Sequence, residues 1–319
     1  MANMSPECSR IAILRDRAVM LAQARAFFEA RGVCEVDCPL LSASASVDAH
    51  IDLIPAQPQG ERRYLHSSPE YGMKRLLTEG FGDIYQLSHV FRDEEYGVKH
   101  NPEFTMAEWY RSGFAFTEMI QETIDFIRLF FGPLSSEIIS YREAFQRFAA
   151  IDYVKASSDD LLHYIRNEGI ETYPGVEHEG KDALLNLILA CKIEPKLGAE
   201  ALCVLAYYPS TQSALARTCW RGDEKASERF EVYYKGVELA NGYHELADSI
   251  EQRQRLEEAN QARKSMGKCV LPIDENFLKA LTAGLPDCCG VAVGFDRLMM
   301  LRHDQKDIAN VMPFSWKDA

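Results

Sequence analysis

The 319-residue sequence predicts an α+β fold in which helices pack against an antiparallel β-sheet. Its strand-like segments occur in neighbouring, hairpin-like pairs, such as 230–234 and 237–243 around a turn at Lys235 and Gly236. No regular alternation of strand and helix runs along the chain, which argues against a doubly wound parallel sheet. Neither GxGxxG nor GxxxxGK[ST] is present, so a nucleotide must bind without Rossmann or P-loop chemistry.

The individual elements follow from apolar spacing and from residues that start or stop helices. The first helix is expected over 8–31, with Ile11, Leu14 and Leu21 on one face and Gly32 as its C-cap. Further helices are predicted at 68–80, 116–131, 250–266, 274–284 and 295–302, and three helical segments at 141–192. Strands are predicted at 33–36, 64–66, 83–92, 103–110, 201–207, 230–234, 237–243 and 290–293.

The composition excludes several classes of protein. The 35 basic and 48 acidic residues give a net charge of −13, which disfavours tRNA as a partner because phosphates are neutralised by Lys and Arg. The nine cysteines include no CxxC pair, which argues against a zinc site. The sequence has neither a signal-peptide core nor 18 consecutive apolar residues, so we expect a cytoplasmic protein with reduced thiols and no membrane span.

Two motifs combine an arginine with features of an anion site. In the first, Arg92 ends a strand and HNPEFTMAEWY (100–110) begins the returning strand, so that Arg92 can grip a phosphate and Phe104 can stack on a base. In the second, Gly290 and Gly294 bracket a strand that runs into a helix bearing Arg297. Each motif alone also has a purely structural interpretation. The first fits an ordinary hairpin with a surface arginine, and the second fits a buried strand with a structural Asp–Arg pair.

A third motif consists of Glu231, Glu238 and Glu245, spaced seven residues apart. If 230–234 and 237–243 form a hairpin, Glu231 and Glu238 lie roughly opposite each other, and a divalent cation converts their repulsion into binding. Glu245 is then left to meet a substrate ammonium group. A solvated acidic face is the alternative interpretation.

Together and in this order, the motifs resemble the catalytic domain of class II aminoacyl-tRNA synthetases. Residues 31–39, which end in Pro39, resemble the first class-defining motif, 91–94 with 100–110 the second, and 290–298 the third. The segments SPE at 68–70, HNPEFTM and ELANGYHEL at 238–246 are similar to the corresponding sequences of lysyl enzymes. The resemblance implies one catalytic domain over 1–319, with a helical insertion at about 141–192.

Two departures are similar to the elongation factor P lysine ligases, the stand-alone relatives of lysyl enzymes. The first motif begins too near the start for an anticodon-binding domain, and Ala292 replaces the middle glycine of the third motif. This resemblance implies activation of lysine or β-lysine by ATP and transfer to a lysine side chain of translation elongation factor P. A minimal lysyl-tRNA synthetase, a non-catalytic synthetase-like regulator and a ligase acting on a small acceptor are the alternatives.

The resemblance also assigns site residues. It implies an ATP site of Arg92, Asp93, Glu94, Asn101, Phe104, Glu238, Leu239, Gly294 and Arg297, with Arg92 and Arg297 as the catalytic phosphate clamps. It implies Mg²⁺ ligands at Glu231 and Glu238. The amino acid is expected at Ser68, Pro69, Glu70, Tyr110 and Glu245. A homodimer through residues 8–39 is implied as well.

Overall fold

The computed structural model describes residues 6–44 and 46–319, with side chains from Arg10 onward. The chain divides into two compact units: unit 1 comprises the residues up to 132 together with 245–319, and unit 2 comprises 133–244. No helix in the described ranges is long and apolar enough to cross a membrane. The single catalytic domain expected from the sequence stays a prediction.

Helices and strands alternate irregularly along the described part of the chain. The helices are α1 (Pro6–Glu29), α2 (Glu70–Thr78), α3 (Phe116–Phe131), α4 (Tyr141–Ala149), α5 (Ser158–Asn167), α6 (Lys181–Ile188), α7 (Ser249–Ser265), α8 (Glu275–Gly284) and α9 (Phe295–Arg302). The strands are β1 (Cys34–Glu35), β2 (Leu41–Ser42), β3 (Pro55–Ala56), β4 (Arg63–Leu65), β5 (Ile84–Phe91), β6 (Glu103–Ser112), β7 (Ser136–Ser140), β8 (Leu202–Ala206), β9 (Thr218–Arg221), β10 (Glu224–Ser227), β11 (Arg229–Tyr234), β12 (Val237–His244) and β13 (Cys288–Gly294).

The main sheet of unit 1 has the strand order β1-β5-β6-β13, and β6 pairs antiparallel with both β5 and β13. These pairings confirm the predicted antiparallel arrangement. The edge strand β1 departs from it, because it runs parallel to β5 after a long crossover that contains α2. Strands β2, β4 and β3 form a separate small sheet.

An aromatic cluster on one face of this sheet fixes the orientation of β5 and β6. Phe28 of α1 stacks on Tyr85 of β5 at 4.2 Å between ring centroids, and Trp109 of β6 lies 5.2 Å from Phe126 of α3. All four rings are buried, and each contributes about 1.5–3 kcal/mol to folding. Because side chains alternate along a strand, burying Trp109 on this face turns Glu108 and Tyr110 to the other face.

Unit 2 has the strand order β12-β11-β8-β7, with β11 antiparallel to β8 and β12. The predicted helical segments at 141–192 are confirmed as α4, α5 and α6, which pack into one apolar core with β8. Strand β7, parallel to β8, and the hairpin β9–β10 were not predicted. Their sequences are short and polar, and β7 is largely exposed, so they lack the apolar alternation that identifies a strand.

Helix starts follow the sequence closely. The predicted cap of α8 is confirmed, because the backbone N–H groups of Asn276 and Phe277 donate to Asp274 Oδ1. Helix α2 begins directly after Pro69, so that Glu70 occupies its first turn. Helix α1 ends at Glu29, two residues before the predicted end, and Gly32 follows with a φ of 68°.

Candidate active site

Three carboxylates and one lysine are buried together on the face of unit 1 that carries Glu108. We call this group the carboxylate cluster and define it as Glu70 and Lys74 of α2, Glu108 of β6, and Glu245. Glu70 and Lys74 are four residues apart, which places them one above the other on the same side of α2. Backbone pairing of Glu245 N–H with the Cys288 carbonyl holds Glu245 beside β13.

Lys74 is the cation of the cluster, and its ammonium group binds two of the carboxylates. Its Nζ lies 2.6 Å from Glu70 Oε1 and 2.5 Å from Glu245 Oε2. The Lys74 side chain is 0% exposed and that of Glu245 is 1% exposed, so neither charge is compensated by solvent. Sequence reasoning placed Glu70 and Glu245 in the site but did not identify Lys74.

Glu108 is a second residue that the sequence prediction missed. Its Oε2 accepts a hydrogen bond from Ser68 Oγ at 2.7 Å, and its Oε1 accepts one from the Tyr110 hydroxyl at 2.8 Å. Ser68 Oγ also accepts from the Glu70 backbone N–H, which ties the start of α2 to β6. The period of two along β6 could have found Glu108, since it shares a face with the predicted residue Tyr110.

Burial changes the protonation of the cluster. Desolvation, with the nearby charge of Glu70, raises the pKa of Glu108 to about 7. Desolvation also raises the pKa of Glu245 to about 8, against the opposing effect of Lys74. The pKa of Tyr110 is raised well above its usual range for the same reason, so its hydroxyl stays protonated and donates to Glu108.

Gly290 lets the side chains of Tyr110 and Glu245 pack directly against strand β13. A Cβ at this position would lie 2.3 Å from Tyr110 Cε1 and 2.4 Å from Glu245 Oε1, too close for any side chain. In the described part of the chain, Glu245 Oε1 is buried and has no hydrogen-bond partner. Ala292 is paired with Glu108, and Gly290 with Tyr110, so the predicted pocket residue Ala292 lies on the same face as the cluster.

The two predicted phosphate clamps are arranged differently from the cluster. Arg92 has a side chain 25% exposed, and its guanidinium carbon lies 5.2 Å from the centroid of the Phe104 ring. Its buried Nε has no hydrogen-bond partner among the described residues, and its Nη1 lies 3.7 Å from Glu95 Oε1. A guanidinium group with an uncommitted donor beside an aromatic face fits a nucleotide phosphate and its base.

Arg297 lies beside the loop that precedes β6. Its Nη2 is 2.7 Å from His100 Nε2, and its Nε donates to the Lys99 carbonyl at 3.4 Å. Desolvation and the positive charge of Arg297 lower the pKa of His100, so the imidazole is neutral and accepts this hydrogen bond. His100 therefore orients Arg297.

The remaining predicted ATP residues in unit 1 mainly shape the loop after β5. Asn101 donates to the Glu103 carbonyl at 2.6 Å and accepts from the Trp316 backbone N–H at 2.9 Å. Asp93 accepts from the N–H of Glu94, which has a φ of 62°. Gly294 precedes α9, where an added Cβ would make only ordinary contacts. Their roles toward ATP stay predictions.

Asp296 pairs with an arginine that the sequence did not suggest. It forms a buried ion pair with Arg17 of α1, and its Oδ2 accepts from the Thr105 backbone N–H at 2.6 Å. Arg17 also donates to the Thr105 hydroxyl at 2.8 Å. A structural Asp–Arg pair therefore exists, but it joins Asp296 to Arg17 of α1 and leaves Arg297 to its contacts with Lys99 and His100.

The acidic pair of unit 2 corrects one expectation drawn from the sequence. Glu231 lies opposite Asn241, and Glu238 lies opposite Tyr233, so the two glutamates do not face each other. The register shifts after Val232, so that the pairing skips Leu239, the other predicted ATP residue on β12. A hairpin drawn from spacing alone assumes regular pairing, which the irregularity breaks.

Glu231 is already engaged by several donors. It accepts from Arg229 Nη2 at 2.6 Å and from the hydroxyls of Tyr208 and Tyr233, each at 2.5 Å. A carboxylate offers about four acceptor positions, so one remains for a cation. Among the described residues, no group of three or more His, Cys, Asp and Glu side chains is arranged to hold a metal. The roles of Glu231 and Glu238 toward Mg²⁺ stay predictions.

Comparison with known proteins decides the family. Residues 4–318 match the family model described as tRNA synthetases class II (D, K and N). The chain belongs to this family. It is similar to the elongation factor P–(R)-β-lysine ligase of Haemophilus influenzae strain PittGG, with 43% identity over 315 residues that cover 96% of this chain and 95% of the relative. The ligase of the same name from Salmonella paratyphi B is 42% identical over 320 residues, 98% of each chain.

These relatives confirm the resemblance read from the three motifs, both the class II fold and the subgroup of elongation factor P lysine ligases. The structure of this class II synthetase-like chain brings most predicted amino-acid residues together in unit 1. Ser68, Glu70, Tyr110 and Glu245 all contact the cluster or belong to it. Pro69 contributes through the backbone, since its carbonyl accepts from Met73 at the start of α2.

Proposed function

We propose that this protein uses ATP to activate lysine or β-lysine as an acyl-adenylate and transfers the acyl group to a lysine side chain of translation elongation factor P. The observation that carries the substrate class is the carboxylate cluster. The names of the relatives support the acceptor and favour (R)-β-lysine as the amino acid.

Charge balance selects the amino acid. With three carboxylates and one ammonium group, the ionised cluster has a surplus of two negative charges in a buried site. A surplus of buried charge is costly unless it is paired, and lysine and β-lysine each bring two ammonium groups. An acidic substrate would add to the repulsion, which argues against a ligase of the asparagine-forming type.

The free acceptors indicate where the two amines bind. One amine fits Glu245 Oε1, which is buried close to Tyr110 and has no hydrogen-bond partner among the described residues. The other fits Glu70 and Glu108, which are linked through Ser68. Ala292 lies on the same face and narrows the amino-acid pocket by one methyl group relative to glycine. This methyl group changes the relative affinity for lysine and β-lysine by a modest factor.

The arginines act on ATP. Arg92 binds the α-phosphate and Phe104 stacks on adenine, while Arg297, oriented by His100, binds the γ-phosphate. The carboxylate of the amino acid attacks the α-phosphorus, and pyrophosphate leaves with the electrons of the broken P–O bond. No side chain acts as nucleophile, so catalysis comes from positioning and from arginine charge. Mg²⁺ at Glu238 and Glu231 supplies further neutralisation of phosphate charge when bound.

In the second half-reaction an amide bond forms. The uncharged ε-amine of the acceptor lysine attacks the acyl carbon of the adenylate, AMP leaves, and the amine loses a proton. The acidic net charge of −13 favours this protein acceptor over tRNA. We also propose a cytoplasmic homodimer: α1 exposes Ile11 and Val19 for a subunit contact, and the cysteines at 34, 38, 191, 203, 219, 269, 288 and 289 are all free thiols.

The proposal is tested by incubating the protein with ATP, (R)-β-lysine and elongation factor P and measuring the intact mass of the factor. The expected result is a mass increase equal to one lysyl group, with AMP released. A parallel reaction replaces the factor with total tRNA. An unmodified factor together with efficient charging of tRNA would overturn the acceptor and favour a minimal lysyl-tRNA synthetase.

A further inference from the structure

We infer that Lys74 is a positioning residue of the substrate pocket, a resident cation that orients Glu70 and Glu245 and sets the pocket charge to match two ammonium groups. The inference rests on the proposed function and deepens it. Lys74 is not among the residues that the sequence motifs assigned to ATP, metal or substrate.

The geometry gives Lys74 a bridging position. Its Nζ pairs with one oxygen of Glu70 and with one oxygen of Glu245, two carboxylates that come from distant parts of the chain. On Glu245 the ion pair is made by Oε2, while Oε1 lies against Gly290 and has no hydrogen-bond partner in the described part of the chain. The ion pair therefore fixes the rotation of the Glu245 carboxylate and leaves Oε1 as its acceptor for a substrate amine.

The surroundings of Lys74 are buried and aromatic. The Lys74 side chain is fully buried, and its Nζ lies 5.9 Å from the ring centroid of Phe277, which stacks on Tyr71 at 4.1 Å. In the pocket without substrate, Lys74 is therefore the cation that compensates Glu245. A substrate amine that binds Glu245 thus joins a carboxylate already held by a protein cation.

The charge count follows from the same contacts. With Lys74, the three carboxylates leave a net charge of −2, which two substrate ammonium groups neutralise. Without it, the surplus is −3, and a carboxylate takes up a proton instead of an amine. A single ammonium group, as in an apolar amino acid, leaves one carboxylate uncompensated.

The test measures pyrophosphate exchange with (R)-β-lysine as a function of pH for the wild type, Lys74→Met, Lys74→Arg and the control Lys279→Met. Lys279 is an exposed lysine of α8, so its variant is expected to behave as the wild type. Groups that face Lys74 and Glu245 from the packed elements are Glu70, Glu108, Tyr71, Tyr110, Asp274 and Cys288, and all of them remain in the single variants.

For Lys74→Met we expect KM for β-lysine to rise about 100-fold, with a smaller change in kcat, because an uncompensated buried carboxylate is left behind. In a plot of kcat/KM against pH, the apparent pKa of the rising part should increase by about one unit, because the carboxylates lose a neighbouring cation. In Lys74→Arg this apparent pKa should return to the wild-type value. If the role of Lys74 is purely structural, Lys74→Met lowers the activity and leaves the apparent pKa unchanged.

The double variant Glu70→Gln/Lys74→Met removes one charge of each sign and covers the case in which Lys74→Met does not fold. Its apparent pKa should lie about one unit above that of Glu70→Gln alone. If the wild type is active and the Lys74 variants show the wild-type apparent pKa and the wild-type KM, this inference is overturned and the proposed function stands. An inactive wild type would overturn the proposed function, and this inference with it.

Discussion

The carboxylate cluster and the two arginine clamps lie in the same unit but differ in their access to solvent. In the cluster, the side chains of Lys74 and Glu245 are 0% and 1% exposed, whereas the side chain of Arg92 is 25% exposed. Burial raises the pKa of Glu108 and Glu245, and the same desolvation makes a missing partner costly there. Arg92 keeps an uncommitted Nε at the edge of its loop.

This difference separates recognition from catalysis. A buried pocket of fixed charge discriminates strongly between amino acids, because a ligand with too few ammonium groups leaves buried carboxylates unpaired. The arginines, in contrast, meet charge that grows on the phosphates in the transition state. Substitutions in the cluster should therefore act mainly on KM, and substitutions of the arginines mainly on kcat.

The largest effect is expected for Glu245→Gln. Breaking a buried ion pair by removing one partner costs about 3–5 kcal/mol, and the amide also repels a substrate ammonium group through its N–H donors. Pyrophosphate exchange should show KM for β-lysine raised by about 100-fold or more, with KM for ATP close to the wild type. Equal increases in both KM values would contradict the separate roles of the two regions.

Arg92→Ala should have the next largest effect, on the rate. Loss of one preorganised donor to a developing charge typically lowers kcat by about 100- to 1,000-fold. Steady-state kinetics at saturating ATP and β-lysine measures it, with Arg62→Ala at an exposed arginine as the matched control. A change confined to KM for β-lysine would show that Arg92 belongs to amino-acid recognition instead.

Gly290→Ala tests the close packing of Tyr110 and Glu245 against β13. The added Cβ meets Tyr110 and Glu245 Oε1 at distances that force both to move. Overpacking of this kind costs about 1–3 kcal/mol, and here it also displaces the carboxylate that binds the amine. Calorimetric titration with β-lysine should show weaker binding, while nucleotide binding, measured separately, stays within about twofold of the wild type.

Much of this contrast could be predicted from the sequence, because motif residues such as Arg92 and Arg297 are adjacent to recognisable neighbours. Glu108 could also have been predicted, because side chains alternate between the two faces along β6 and Glu108 shares a face with Tyr110. Lys74 was not, since its role depends on contact with Glu245, which lies 171 positions away (245 − 74). The face-to-face pairing of Glu231 with Glu238 was wrong because an irregularity in β11–β12 shifts the register.

The same reasoning explains the fold. Hairpins and helices follow from local patterns, and the predicted bounds of α3 and α9 are confirmed. The parallel edge strand β1 depends on a crossover through α2, which no local pattern encodes. Strand β7 is similarly defined by its neighbour β8 and not by its own sequence.

A smaller effect is expected in proton exchange. Burial raises the pKa of Glu108 to about 7 and that of Glu245 to about 8, so near pH 7 the free pocket carries protons that a dicationic ligand displaces. Binding of β-lysine should therefore release about one proton at pH 7, where the free ligand is already a dication. Titration calorimetry in two buffers of different ionisation enthalpy measures this, and proton uptake would contradict it.

The same two groups affect stability. Because their pKa values are raised on folding, the stability they contribute is complete below about pH 4.5 and is lost as the pH rises through about 7 and 8. Bound β-lysine should recover part of this loss above pH 8. Thermal unfolding with and without β-lysine at pH 6 and pH 9 follows the difference, and a larger ligand effect at pH 6 would contradict it.

Pyrophosphate exchange with a panel of amino acids is the most direct test of the central claim, that the cluster selects a substrate with two ammonium groups. The panel comprises (R)-β-lysine, lysine, norleucine and glutamate at equal concentration. The expected result is exchange with β-lysine and lysine, and none above background with norleucine or glutamate. Comparable exchange with norleucine, which lacks the second amine, would contradict that claim.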